Sequence, residues 1–120
     1  MTLSKTVLII DNDEDWLALL ERLLADAGYD VLKAQDGAGA MRLMGVARPD
    51  CVLSDLKLGC ESGLKLCAAI KSAPGLGRVP VIILSGAAEP PESCGRVCDG
   101  YVCKTDGTAA ILAAIKKVIK

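Results

Sequence analysis

Five short apolar runs, each closed by a polar or charged residue and each separated from the next by an intervening segment, limit this chain more than any other feature. KTVLIID begins at residue 5, YDVLKA at 29, CVLSD at 51, VPVIIL at 79 and YVCK at 101. The first run is too short for a helix and rich in β-branched residues; a continuous apolar run of this kind predicts a buried strand, and the others follow it. Pro80 stands at the start of its run, where a strand tolerates proline.

The segments between the runs have a helical period. Trp16, Leu19, Leu20, Leu23, Leu24 and Ala27 predict a helix capped by Asp13 or Asp15 and stopped by Gly28. A weaker pattern of Ala40, Met41, Met44 and Ala47 follows Asp36 and Gly37 and ends before Pro49. Residues 62–71 place Leu64, Cys67, Ala68 and Ile70 on one side of a third helix. Residues Thr105 to Thr108 offer caps for a last helix with Ile111, Leu112, Ile115, Val118 and Ile119 inward and Lys116, Lys117 and Lys120 near its carboxyl end, where cations suit the dipole. Between Ser85 and Asp99, Pro90, Pro91 and Gly95 leave only a stunted helix around ESCGRVC. The alternation predicts an α/β fold: a doubly wound, five-stranded parallel sheet with right-handed crossovers and helices on both faces. Such sheets carry their sites at the carboxyl ends of the strands.

The chain has 120 residues, enough for one core, so residues 1–120 read as a single domain and a two-domain enzyme is excluded. Lys and Arg number 14 against 15 Asp and Glu, so the domain as a whole is not a polycation for nucleic acid. Trp16, Tyr29 and Tyr101 are the only aromatic residues, too few for a base-stacking platform. There is no histidine, so no histidine base or ligand. The apolar stretches fall short of the roughly 18–20 residues of a membrane span. The N-terminal run ends in carboxylates rather than at a cleavage site, and the expected location is cytoplasmic. There the six cysteines read as thiols. Cys51 and Cys103 lie in apolar runs and should be buried. A thiolate metal site or redox pair built on Cys94 and Cys98 with Cys60 and Cys67 has no zinc-ribbon spacing, and unpaired packing thiols are the preferred reading.

Asp11, Asp55, Ser85 and Lys104 end or follow four of the five strands, and a parallel sheet brings such residues to one rim. Two carboxylates within about 5 Å repel, and one protonates unless a cation stands between them. Oxygen ligands with open positions suit Mg²⁺. A hydroxyl and an ammonium across the site suit phosphoryl oxygens, and an aspartate can accept a phosphoryl group as nucleophile.

These residues carry a resemblance. VLIIDNDED, PDCVLSDLKLGCESG, VPVIILSG and DGYVCK occur in the order of the motifs of a response-regulator receiver domain of two-component signalling, and residues 5 to 119 as a whole resemble that family. The resemblance implies the flavodoxin-like strand order 2-1-3-4-5. It implies Asp55 as phosphoacceptor, with Gly63 at the customary eight-residue distance, and Mg²⁺ held by Asp11, Asn12, Asp55 and the backbone carbonyl of Lys57. It implies Ser85 and Lys104 as phosphoryl-binding residues and Tyr101 as the switch aromatic. The implied partner is a histidine kinase or histidine phosphotransfer protein. The output partner is not written in the sequence, and homodimerisation stays open.

Three departures from the family pattern matter. Asn12 replaces an acidic residue, so weaker Mg²⁺ binding is expected. Thr105 follows Lys104 where the family has a proline after a cis bond; a cis bond before a non-proline residue costs about 2.5–4 kcal/mol, which predicts a trans bond here. The segment from Ser85 to Lys104 is roughly one helical turn short.

Two other readings compete. A phosphorylation-independent pseudo-receiver would keep the fold and act as an interaction module. A haloacid-dehalogenase-type phosphatase would use Asp11 and Asp13, but only Asp106 follows Lys104 to supply its later acidic pair, and Asp55 would be unexplained. A flavin carrier fails because carboxylates follow the first strand where a cofactor phosphate would sit.

Overall fold

In the computed structural model, residues 5–86 and 98–119 are described. The chain runs β1 (Thr6–Ile10), α1 (Glu14–Asp26), β2 (Asp30–Ala34), α2 (Gly37–Val46) and β3 (Cys51–Asp55). It continues through the two-residue strands β4 (Lys57–Leu58) and β5 (Glu61–Ser62), then α3 (Gly63–Ser72), β6 (Val81–Ser85), β7 (Gly100–Cys103), a 3-10 turn (Lys104–Asp106) and α4 (Thr108–Val118). The main sheet has the order β2-β1-β3-β6-β7, and every pairing in it is parallel. Counting only its own five strands, this is the expected 2-1-3-4-5. The stunted helix expected around ESCGRVC, residues 92–98, lies outside the described residues except for its last, Cys98.

The strands alternate their side chains between two cores. Leu8, Ile10, Val52, Val81 and Ile83 face Ala40 and Met44 of α2 and Leu66, Cys67 and Ile70 of α3. Val7, Ile9, Cys51, Leu53, Ile82 and Leu84 face Leu17, Leu20 and Leu24 of α1 and Ile111 and Ile115 of α4. Both faces are thus covered, which is why these strands read as unbroken apolar runs. Each fully buried Leu or Ile contributes about 1.5–3 kcal/mol.

Three helix starts follow from short polar side chains. The Asp13 carboxylate caps α1 by accepting from the N–H groups of Asp15 and Trp16, with Glu14 and Asp15 suiting the dipole in the first turn. Asp36 caps α2 through Gly39, and Ser62 caps α3 through Leu64 and Lys65. The last helix differs from expectation: Gly107, at φ 94°, takes the N-cap position and no side chain caps it. Two burial assignments are also corrected. Leu19 is exposed and Leu17 takes its place in the core, because Leu17, Leu20 and Leu24 share one helix face. In α3, Leu66 is buried where Ala68 is exposed.

The β4–β5 hairpin was not expected from the sequence. Lys57 pairs with Ser62 and Leu58 with Glu61, and Gly59 at φ 64° supplies the left-handed residue of the tight turn. Glu61 ties the hairpin to α2 by accepting from the Gly37 N–H at 3.0 Å. Among the described residues no peptide bond is cis, so the Lys104–Thr105 bond is trans as expected. No helix of the described residues is long and apolar enough to cross a membrane.

Candidate functional site

All five main strands point the same way, so their last residues gather at one edge. Asp11 follows β1, is 1% exposed, and is tied in place by its own loop: its backbone N–H donates to Ala34 O of β2, and its Oδ1 accepts from the Asp13 N–H at 2.9 Å. Asp55 ends β3. The chain leaves it sharply, with the Leu56 N–H bonded to Leu84 O and the Gly63 N–H returning to Leu56 O at 2.7 Å. That return requires glycine, since a Cβ on Gly63 would meet the Asp55 carbonyl oxygen at 2.1 Å.

Lys104 enters from the other side, at the end of β7. Its Nζ lies 3.1 Å from Asp11 Oδ2 and 3.5 Å from Asp55 Oδ1. One ammonium therefore serves two carboxylates. Burial, and then the Asp11 charge, push the Asp55 carboxyl above its usual range, while Lys104 and the Lys57 backbone N–H pull it back only in part. The pocket is short of positive charge.

Asp55, Leu56, Lys57, Ser85, Gly86 and Lys104 line a cleft of about 410 Å³. Ser85 ends β6 and is buried. Tyr101, in register with Ile83 on the neighbouring strand, is half-buried and packs against the core under α2 and α3 rather than lining the cleft. Asn12 is exposed, with its side-chain amide beside Gly59 of the hairpin. The Asp13 carboxylate is used as the α1 cap, which takes it away from the role a phosphatase would give it.

The carboxylate oxygens of Asp11 and Asp55, brought to one ammonium at the same edge, are of the kind that fit a hard divalent cation such as Mg²⁺. Among the described residues no group of three or more His, Cys, Asp or Glu could hold a metal ion. The cysteines offer no thiolate site there either. Cys51, Cys60 and Cys103 are free, and burial pushes the Cys51 thiol up to about 12 and the Cys67 thiol to about 11, so both stay protonated at neutral pH. Cys51 and Cys103 are buried as expected, whereas Cys98 is disulfide-bonded, a correction to the reading of unpaired thiols. Cys94 lies outside the described residues.

One neighbour of the pocket escaped the sequence reading. Trp16, expected only as a core residue of α1, has its ring centroid 4.9 Å from Lys104 Nζ. The signal was its place in the first turn after the acidic cluster, which puts it at the same edge as Asp11.

Comparison with known proteins agrees with this fold. The sequence model of the response regulator receiver domain family matches residues 7–116. The transcriptional regulatory protein PrrA of Mycobacterium bovis is 31% identical over 120 residues, covering 98% of this chain and 51% of PrrA. The transcriptional regulatory protein KdpE of Mycobacterium tuberculosis is 32% identical over 117 residues, covering 95% of this chain and 50% of KdpE. The chain thus spans about half the length of these relatives. In fold it is similar to the chemotaxis response regulator CheY4 of Vibrio cholerae, with a TM-score of 0.90 at 24% identity over 97% of this chain and 99% of that one.

Proposed function

Since the chain belongs to the response regulator receiver domain family, a family of signalling domains that interact with histidine kinases and generally bind Mg²⁺ at the phosphorylation site, we propose that Asp55 is its phosphoacceptor. The observation that carries this reading is the shortage of positive charge around Asp55, with Lys104 Nζ shared between Asp11 and Asp55 beside an open cleft. An ionised Asp55 oxygen attacks the phosphorus of a partner's phosphohistidine. The P–O bond forms as the P–N bond breaks, and the imidazole leaves with its electron pair and takes up a proton. Lys104 and the Ser85 hydroxyl then face the phosphoryl oxygens. Asp11, Asp55, the Lys57 carbonyl and the Asn12 amide oxygen are the proposed Mg²⁺ ligands. When bound, the ion offsets the charge of the carboxylates and of the incoming phosphoryl group. Asn12 brings a dipole where a carboxylate would bring a full charge, so binding is weak.

Movement of Ser85 toward the phosphoryl group is proposed to open space for Tyr101, two residues short of it on the adjacent strand, and so to convert a charge event into a surface change. A receiver domain over residues 1–120 acting in the cytoplasm belongs to the same proposal.

Acetyl phosphate, with and without Mg²⁺, followed by intact mass, tests it. The expected result is one added phosphoryl group that requires Mg²⁺ and is abolished in Asp55→Asn. No gain, together with no Mg²⁺ binding at millimolar concentration, would overturn it in favour of a phosphorylation-independent module, the reading that Asn12 favours.

A further inference from the structure

Lys104 ends in a flexible four-carbon stem whose ammonium has three donors and no built-in direction. Two carboxylates approach it, at 3.1 and 3.5 Å, and the Trp16 ring lies 4.9 Å from it. This distance is within cation–π range, where the electron-rich face of an indole attracts an ammonium. Among the described residues the Trp16 Nε1–H is buried and has no hydrogen-bond partner. No directed bond therefore orients the indole; packing against the core under α1 and α4 does. The ring stands on the first turn of a helix whose cap, Asp13, is bonded to Asp11. Ring and acidic residue thus share one rigid support, and Lys104 reaches them from a different strand.

We infer that Trp16 is a positioning residue: its ring face holds Lys104 Nζ against Asp11 and Asp55, so that the ammonium is already placed where a phosphoryl oxygen on Asp55 will meet it. The kinetic consequence rests on Asp55 being the phosphoacceptor, but the contact does not. Held in this way, Lys104 spends less freedom when the phosphoryl group arrives, because its rotamers are restricted beforehand.

The chain has a single tryptophan, so its emission reads the contact without any phosphodonor. Lys104→Met should change the intensity and lifetime of that emission, and an unchanged spectrum and lifetime would overturn the contact. The kinetic arm follows acetyl phosphate labelling with Mg²⁺ by intact mass. Trp16→Leu should be slowed about five-fold, the factor given by a partly exposed cation–π contact, and Trp16→Phe, which keeps a ring face, should recover part of the loss. Leu20→Ala, buried on the same helix and expected to destabilise it, should label at the wild-type rate while folded. If Trp16→Leu labels like wild type, if Trp16→Phe is as slow as Trp16→Leu, or if Leu20→Ala is equally slowed, the positioning role is overturned. Failure of the wild type to label at all overturns the phosphoacceptor reading and the kinetic role together. That pattern differs from failure of Trp16 alone, in which wild type and variants label alike.

Discussion

Each end of the sheet carries a lysine against aspartate, and the two ends treat the pairing differently. At the amino end, Lys71 Nζ lies 2.6 Å from Asp99 Oδ2 and donates also to Val79 O at 2.8 Å, while the same Asp99 oxygen accepts from the Val81 N–H. The Asp99 N–H returns to Val81 O, and the exchange is repeated at β1, where Asp50 and Thr6 bond each other through a side chain and the backbone. Charge there is matched one to one, and the remaining hydrogen-bonding capacity closes strand starts. At the carboxyl end one ammonium meets two carboxylates at longer distances, and Asp55 ionises reluctantly. Completeness marks the structural pair, and the deficit is what the proposed phosphoacceptor role draws on.

That contrast can be broken at the amino end first. Asp99→Ala removes the acceptor for Lys71 and for the Val81 N–H, and should cost about 2 kcal/mol, lowering the melting midpoint by about 8 °C. Labelling of the folded protein by acetyl phosphate should not change; a slower rate in fully folded protein would mean that the two ends are not independent.

The next effect sharpens the deficit at the carboxyl end. Asn12→Asp adds a carboxylate and should tighten Mg²⁺ binding about ten-fold, or about 1.4 kcal/mol, in a calorimetric titration. Unchanged affinity would remove Asn12 from the proposed ligand set.

The smallest effect is a pH dependence. Because burial and Asp11 raise the Asp55 carboxyl, the native state holds that proton more tightly than the unfolded chain, whose carboxyl titrates near the ordinary 3.8. The wild type then has no penalty from Asp55 below that value, loses stability as pH rises through the native value, and carries the full penalty at neutral pH. Asp55→Asn should therefore melt about 2–4 °C above wild type at pH 7 in the absence of Mg²⁺, with the gap closing toward pH 3. A variant less stable than wild type at pH 7 would show that Lys104 and the Lys57 N–H over-compensate.

The sheet was legible because strands covered on both faces leave an unbroken apolar signature, and the rim because parallel strands necessarily stack their last residues at one edge. Asp11, Asp55, Ser85 and Lys104 were all found from that rule. What escaped depends on helix phase or on long-range contact. Leu17 and Leu19 both fitted an apolar helix, and only the docked face separates them. The hairpin rests on a left-handed Gly59 and on the close return of Gly63 to the Asp55 carbonyl, and two-residue strands have no periodicity to read. Trp16 meets Lys104 across a fold that no local pattern reports.

The same burial that makes β1, β3 and β6 easy to recognise sets a risk whenever the chain opens. TVLII and VIIL are rich in β-branched residues, and they and CVLS are uncharged and free of proline, the composition of segments that stack between chains as cross-β. In the native sheet each is paired on both sides by a neighbouring strand, so no sticky edge is presented, and Lys5, Asp11, Asp50 and Asp55 stand at the ends of the first two runs as charged gatekeepers. A variant that loosens the sheet is therefore expected to lose protein to aggregation.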